Sequence, residues 1–287
     1  MNPQPGESHQ PDKSHQPIVV RQMDFDFPSD IDPVVIKGDP EQSYSMIGLS
    51  LLLPYLEPYL IRTMKEAKKQ VSDPALIDDL ERFSAQEGQH YRQHMRFNES
   101  IRLQGFDKLA EFEKELSDDY RRFSKTRSLR FNLAYAEGFE ALTTASARFS
   151  FERKSDDEIL PSVSALFQWH LLEELEHRTV AFDVYEHVCG GYFYRLVAGL
   201  YAQQHMLRFI GRVVKYMIDA DPAAVELCGG REGLRARRAA AGPDLRKIFL
   251  PKLLKTYSPW YTPHDIPFDA ELQEMATEYS KLALSTR

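Results

Sequence analysis

One segment decides the predicted fold: residues 169–177, which read WHLLEELEH. Within it His170, Glu174 and His177 are spaced i, i+4 and i+7, so they project from one face of an α-helix. Apolar residues continue this face from Ala181 onward, which places the face against a core rather than in water. Burying imidazole and carboxylate groups together is unfavourable unless something neutralises them, and a metal ion does so.

Length and charge limit the class of protein. The chain has 287 residues and 43% hydrophobic content, which is enough for one large domain or two small ones. Its net charge of -7 argues against a nucleic-acid-binding protein, because such proteins neutralise phosphates with basic residues. The 2 cysteines are too few for a disulfide framework, so we expect a reducing, cytoplasmic location.

The N-terminal segment is polar and lacks the apolar stretch of a secretory signal. We expect residues 1–18 to form a disordered tail. The longest apolar run, residues 46–61, contains two prolines and Glu57. It falls short of the roughly 18–20 clean apolar residues that a transmembrane helix needs, so the sequence predicts no membrane span.

From about residue 40 onward the hydrophobic pattern has the helical period, and only residues 19–25 suggest a short extended segment. Signals such as Asp73-Pro74 at a helix start and Gly190-Gly191 at a helix end set approximate bounds. The predicted core helices span residues 43–70, 73–103, 126–153 and 158–189; a shorter helix spans 107–122, and later helices span 193–219, 222–240, 243–255 and 267–284.

The predicted architecture is therefore all-α. A four-helix bundle occupies residues 19–190, and a helical extension, residues 191–287, packs on it within the same domain. Pro54 and Pro58 lie inside the first helix, so we expect a bend or an unwound turn beside Glu57.

The middle of each core helix carries ionisable residues on its inner face. In chain order these are Glu57, then Glu87 with His90, then Glu140 or Glu137, and then Glu174 with His177. In helical-bundle di-iron and di-manganese proteins, one glutamate comes from each of two helices and one Glu-x-x-His pair from each of the other two. Two divalent ions balance four buried carboxylates, and oxygen and nitrogen ligands without thiolate favour iron or manganese. The sequence therefore predicts a di-metal carboxylate site.

Neighbouring ionisable residues leave alternatives open. His170 either adds a nitrogen ligand or hydrogen-bonds to a ligand, and the same two interpretations apply to His94. Glu173 and His94 are the candidate catalytic bases. Arg178 and Asp183 are candidates for orienting ligand imidazoles. The competing structural interpretation is a set of buried ion pairs, which the absence of Lys and Arg from these faces disfavours.

These residues resemble a bacterial family described as predicted metal-dependent hydrolases, within the ferritin-like superfamily. The matching motifs are LPYxE at residues 53–57, QExxHxxxHxxxN at 86–98, ExxT at 140–143 and WHxxEExEHxxVAFD at 169–183. The resemblance implies a ferritin-like four-helix bundle with a two-metal site, and its alignment favours Glu140 over Glu137. Where the family has a glycine in the first motif and a histidine in the third, this chain has Leu56 and Ala141, so a role for that histidine is absent here.

The segment from His170 to His177 is also similar to the corresponding segment of di-iron arylamine N-oxygenases, which implies O₂ activation. We therefore expect an enzyme with two iron ions, or manganese or a mixed pair, that oxidises a small organic substrate with O₂ and an electron donor. The alternatives are a hydrolase that uses a metal-activated water, as the family description says, and a non-enzymatic iron-binding protein.

The C-terminal extension also bears on function. It is rich in aromatic residues and is more consistent with a lid over a substrate pocket than with a storage cage. A homodimer is compatible with this interpretation. We expect the pocket to be lined by Phe83, Tyr91, Phe97, Phe139 and Leu142, which would suit an apolar or aromatic substrate.

Overall fold

The computed structural model describes residues 16–153 and 158–285. Within these ranges the fold is all-α, as predicted, and a single isolated bridge between Ile36 and Ile159 is the β-structure present. The helices are α1 (Pro40–Ala67), α2 (Pro74–Arg102), α3 (Leu109–Thr126), α4 (Leu129–Arg153), α5 (Pro161–Glu176), α6 (Val180–Val188), α7 (Tyr192–Ala220), α8 (Pro222–Leu227), α9 (Gly230–Asp244), α10 (Leu250–Thr256) and α11 (Ala270–Ser285). Residues 1–15 of the predicted tail lie outside the described residues.

Four helical segments surround the centre of the molecule. Helices α1, α2 and α4 pack with the consecutive helices α5 and α6, while α7 lies along α4 and α1. Helix α7 approaches α4 closely because Gly138 and Gly199 face each other: a Cβ on Gly138 would lie 2.2 Å from the Cα of Gly199. Among the described helices, none combines the length and apolar content needed to cross a bilayer.

Helix α1 continues without interruption through Pro54 and Pro58, so the unwound turn expected beside Glu57 is not present. Pro54 has no N–H to donate to the carbonyl of Ser50, one turn earlier. The side-chain amide of Asn98 donates to that carbonyl instead, at 2.9 Å. A neighbouring helix therefore replaces the hydrogen bond that the proline removes, and Glu57 stays on a regular helix.

The predicted single helix at 158–189 is wrong, because the chain forms two helices, α5 and α6, with a break after Glu176. The Arg178 guanidinium donates to the carbonyls of Leu175 and Ile266, both in the interior. The carbonyl groups at a buried helix end are unfavourable without hydrogen-bond donors, and Arg178 supplies a donor to the Leu175 carbonyl at the end of α5. The contact that Asp183, on α6, makes is with His264, at 2.9 Å, and not with a predicted ligand.

Residues 16–29 form an irregular segment, here called the N-terminal strap, which lies along α2. The side chains of Gln86 and Gln93 donate to the carbonyls of Val19 and Met23, at 3.0 and 2.6 Å. Ile18 is 3% exposed, so the described chain already packs in the core one residue before the predicted start of the bundle. The segment predicted to be extended, residues 19–25, falls within this strap and joins no sheet.

Candidate metal centre

The predicted ligands converge in the middle of the bundle. On α1, α2 and α4 they lie in the central turns, whereas on α5 they extend from the middle of the helix to its end. The converging side chains, all 0–5% exposed, are Glu57 on α1, Glu87 and His90 on α2, Glu140 on α4, His170 and Glu174 on α5, and His177 directly after α5.

The ligand atoms fall into overlapping groups whose members all lie within 4.8 Å of one another. One group is Glu87, Glu140 and His177, in which the His177 Nε2 atom lies 3.4 Å from an oxygen of each glutamate. Two ligands that each lie about 2.1 Å from one ion are separated by roughly 3.0–3.4 Å. The spacing around His177 therefore suits a single metal position.

A second group lies around His90. Its Nδ1 atom is 3.9 Å from oxygens of both Glu87 and Glu174. His90 also groups with Glu57 and His170, and the rings of His90 and His170 stack with centroids 4.2 Å apart. Glu87 belongs to a group with His177 and to another with His90, so a carboxylate connects the two positions, as a two-metal centre requires.

The candidate ligand atoms differ from most buried polar atoms of the core in lacking hydrogen-bond partners. Both oxygens of Glu57, Glu87 and Glu140 lack a hydrogen-bond partner among the described residues, and so do His90 Nδ1 and His177 Nε2. Buried polar atoms are normally paired, because leaving one unpaired costs about 1–3 kcal/mol. A concentration of unpaired oxygen and nitrogen atoms, without thiolate, fits two divalent cations of the iron or manganese type.

The electrostatics of the metal-free centre agree with this interpretation. Burial, and then repulsion from Glu174 and Glu140, raises the pKa of Glu57 well above its usual range. Burial and the charge of Glu174 raise the pKa of Glu140 to about 8. Without metal these carboxyl groups hold protons at neutral pH, and bound cations would displace the protons.

Glu173, predicted to be a catalytic base, contacts the predicted ligand His90. Its Oε2 atom lies 3.0 Å from His90 Nε2, and its Oε1 atom accepts from Trp169 at 2.8 Å and from Arg21 at 2.9 Å. When Glu173 is ionised beside Arg21, the ring nitrogen of His90 that faces it carries the proton, and Nδ1 is left for a metal. With both oxygens engaged, the geometry suits a positioning role for Glu173 better than proton transfer to substrate.

His177 is oriented in a similar way by Gln86. The Gln86 amide donates to Glu176 at 2.8 Å, which turns its oxygen toward His177 Nδ1 at 2.9 Å. Glu176 in turn pairs with Arg21 at 2.7 Å. Arg21 is 2% exposed and comes from the N-terminal strap, and no pattern in the sequence indicated its position. Gln86 directly precedes the predicted ligand Glu87, and this adjacency is the sequence signal that could have indicated its role.

A chain of hydrogen bonds fixes the tautomers of His94 and His170. The Asn98 amide nitrogen donates to the Ser50 carbonyl, so its oxygen accepts from the Ser50 hydroxyl at 2.6 Å. Ser50 Oγ must then accept from His94 Nδ1, at 2.8 Å, which leaves His94 Nε2 as acceptor for His170 Nδ1 at 3.0 Å. The unprotonated His170 Nε2 consequently points at Glu174 Oε1, 3.0 Å away. These contacts favour His170 as a ligand and suit His94 to a positioning role.

Glu140 and Glu137, the two alternatives on α4, differ in their charge partners. Glu137 forms a buried ion pair with Arg195 on α7, at 2.7 Å, whereas Glu140 faces His177. Thr143, one turn after Glu140, donates to Glu174 at 2.6 Å. The ligand positions therefore match Glu140.

A cavity of about 230 Å³ reaches this centre, and Thr143 and His170 form part of its wall. Of the predicted pocket residues Leu142 lines it, together with residues of α1, α5 and α7 and with Phe249. The prediction is wrong for the other four residues, which do not line this cavity: Phe83, Tyr91, Phe97 and Phe139. Phe83 and Phe97 pack in the core against His177 and Phe27. A larger cavity of about 560 Å³, near Lys37 and Glu158, contains none of the ligands.

Comparisons with known proteins agree with the character of this centre. A family model described as predicted metal-dependent hydrolase matches residues 19–266, a range that includes every candidate ligand. Neither a curated protein nor a solved structure matches the chain significantly.

Proposed function

The chain belongs to the predicted metal-dependent hydrolase family, and we propose that it is a two-metal enzyme that oxidises a small organic substrate with O₂. One observation carries this proposal: two Glu-x-x-His pairs and two further glutamates converge, with their ligand atoms unpaired. This ligand pattern is that of helical-bundle di-iron and di-manganese proteins, and a ferritin-like classification belongs to the same proposal.

When bound, two iron ions supply a redox-active, Lewis-acidic pair, and manganese or a mixed pair is the alternative. The chain's own residues prepare this pair. Glu173 accepts from His90 Nε2, Gln86 accepts from His177 Nδ1, and His94 accepts from His170 Nδ1. The other nitrogen of each ring is therefore left without a proton. Thr143 fixes Glu174 by hydrogen bonding, and the low exposure of all ligands excludes bulk water. An external electron donor completes the proposed reaction.

The test begins with protein produced with both iron and manganese supplied. Metal content per chain is measured, and the anaerobically reduced protein is then mixed with O₂ in a stopped-flow spectrometer. Two irons per chain and a transient absorption band support the proposal. The matched control is Glu137→Gln, which alters a buried carboxylate outside the centre and should retain both irons and the band. Bound iron that does not respond to O₂ would contradict the oxidation proposal.

Hydrolysis is the second candidate, because the family description favours it. Hydrolysis at two metals also needs a base that can accept a proton, and both predicted bases, His94 and Glu173, are already hydrogen-bonded on the atoms that would serve. Turnover of esters or phosphoesters under argon would support this candidate. Turnover that requires O₂ and a reductant would exclude it.

A further inference from the structure

The cavity that reaches the metal centre has a defined chemical character. Its wall is formed mostly by Leu, Ile, Met and Phe side chains from α1, α5 and α7, and none of the Lys, Arg, Asp or Glu residues that the structure describes lines it. A charged group inside would lose its hydration without gaining a partner, which is strongly unfavourable. The wall therefore selects uncharged and largely apolar molecules.

The polar residues of the wall indicate how the cavity runs. His170 and Thr143 are buried, and both contact Glu174 of the centre, at 3.0 and 2.6 Å. Ser45, by contrast, is exposed at the surface. A molecule in the cavity therefore extends from the surface to the side chains that contact Glu174, so its inner end lies next to the candidate metal centre.

The volume limits the size of the occupant. An apolar cavity of about 150 Å³ admits benzene, which has six non-hydrogen atoms. By proportion, the 230 Å³ measured here holds roughly nine non-hydrogen atoms. This is at the small end for ligand sites, which usually range from about 300 to 1,000 Å³.

We propose that the substrate is an uncharged aliphatic or alkyl-aryl molecule of about nine non-hydrogen atoms, bound with its polar, reactive end against His170 and Thr143. The reaction that the bound molecule undergoes rests on the proposed function. The binding selectivity itself depends on the wall alone and is measurable without turnover.

The test uses protein loaded with Zn²⁺, which is redox-inactive and prevents oxidation. Straight-chain 1-alkanols from butanol to dodecanol are titrated by calorimetry. Each added methylene should tighten binding about fourfold until the chain has about nine non-hydrogen atoms, and longer chains should bind no more tightly. Octane-1,8-diamine, charged at both ends at pH 7, should bind at least 100-fold more weakly than 1-octanol.

Variants of the wall connect the length limit to this cavity. Met46→Trp fills space and should move the limit to shorter alkanols, whereas Leu49→Ala enlarges the cavity and should move it to longer ones. The matched control is Met95→Trp, since Met95 is 42% exposed on α2 and does not line the cavity. Zinc content and melting temperature establish that each variant is folded.

Two outcomes would overturn the inference: affinity that does not depend on chain length, or a diamine that binds as tightly as the alcohol. An unchanged length limit in both wall variants would overturn the assignment to this cavity. The proposed function fails separately: a length limit as expected, with iron-loaded protein inert to O₂, leaves the binding inference intact and rejects oxidation.

Discussion

The Nε2 atom of His94 lies 3.0 Å from the Nδ1 atom of His170, and this hydrogen bond leaves the other ring nitrogen of His170 facing Glu174. Burial, and then the neighbouring His170, lowers the pKa of His94 well below its usual range, so His94 is neutral. The Nδ1 atom of His94 donates its proton to the Ser50 hydroxyl oxygen, so the Nε2 atom of His94 accepts from His170. The Nε2 atom of His170, which faces Glu174, is thereby left without a proton.

We predict that His94→Ala weakens metal binding by about 10–100-fold, because His170 loses the partner that fixes its tautomer. The effect should nearly disappear in the background of His170→Ala, since His94 acts through that residue. Competition titration with a metal chelator measures each affinity. Independent, additive losses in the double variant would instead identify His94 as a direct ligand.

Glu140 and Glu137 provide a test of ligand identity on one helix. Glu140→Gln should lower the metal content from two ions per chain toward one, because one carboxylate of the centre loses its charge. Glu137→Gln should retain both ions and lose stability, since it leaves buried Arg195 without its carboxylate partner. Elemental analysis and urea unfolding measure the two effects. The reverse pattern would assign the ligand role to Glu137.

Arg21 is expected to be a major contributor to stability. Its guanidinium pairs with Glu173 and Glu176 in the interior, at 2.9 and 2.7 Å. Arg21→Met leaves both carboxylates without that cation and should lower the free energy of unfolding by about 3–5 kcal/mol. Arg121→Met, at an arginine that is 62% exposed, should change it by less than about 1 kcal/mol. Equal effects in urea unfolding would show that the buried pairing adds no stability.

Metal binding should release protons at pH 7. The pKa of Glu140 is raised to about 8 in the metal-free protein, above the value of 4.5 for an unpaired glutamate. The folded state therefore holds this proton across that interval, and its stabilising contribution is lost as pH rises from about 4.5 to about 8. Metal affinity should rise over the same interval, because the metal needs the carboxylate.

Calorimetry in two buffers of different ionisation enthalpy counts the released protons. Glu140→Gln cannot release a proton from this position, so the count at pH 7 should fall. An unchanged count would mean that Glu140 is already ionised before metal binds.

Much of the centre was predictable because its residues are local to single helices. The spacing of Glu87 and His90, and of Glu174 and His177, is fixed by the helical period, which places both members of a pair on one face. The apolar residues around each pair determined that those faces are buried. These features follow from residues within two turns of each other and need no knowledge of how the helices pack.

Contacts between distant parts of the chain were decided only by the tertiary structure. Arg21 reaches Glu176 across 155 residues, and His94 reaches His170 across 76, so no local pattern relates them. At the break after Glu176, Arg178 donates to the carbonyl of Ile266, and these two residues are likewise far apart in the chain. The sequence by itself determined which side chains face the core, because helix periodicity is local. Packing decided which ionisable groups are neutralised by protein partners and which are left unpaired for metal, because neutralisation depends on three-dimensional neighbours.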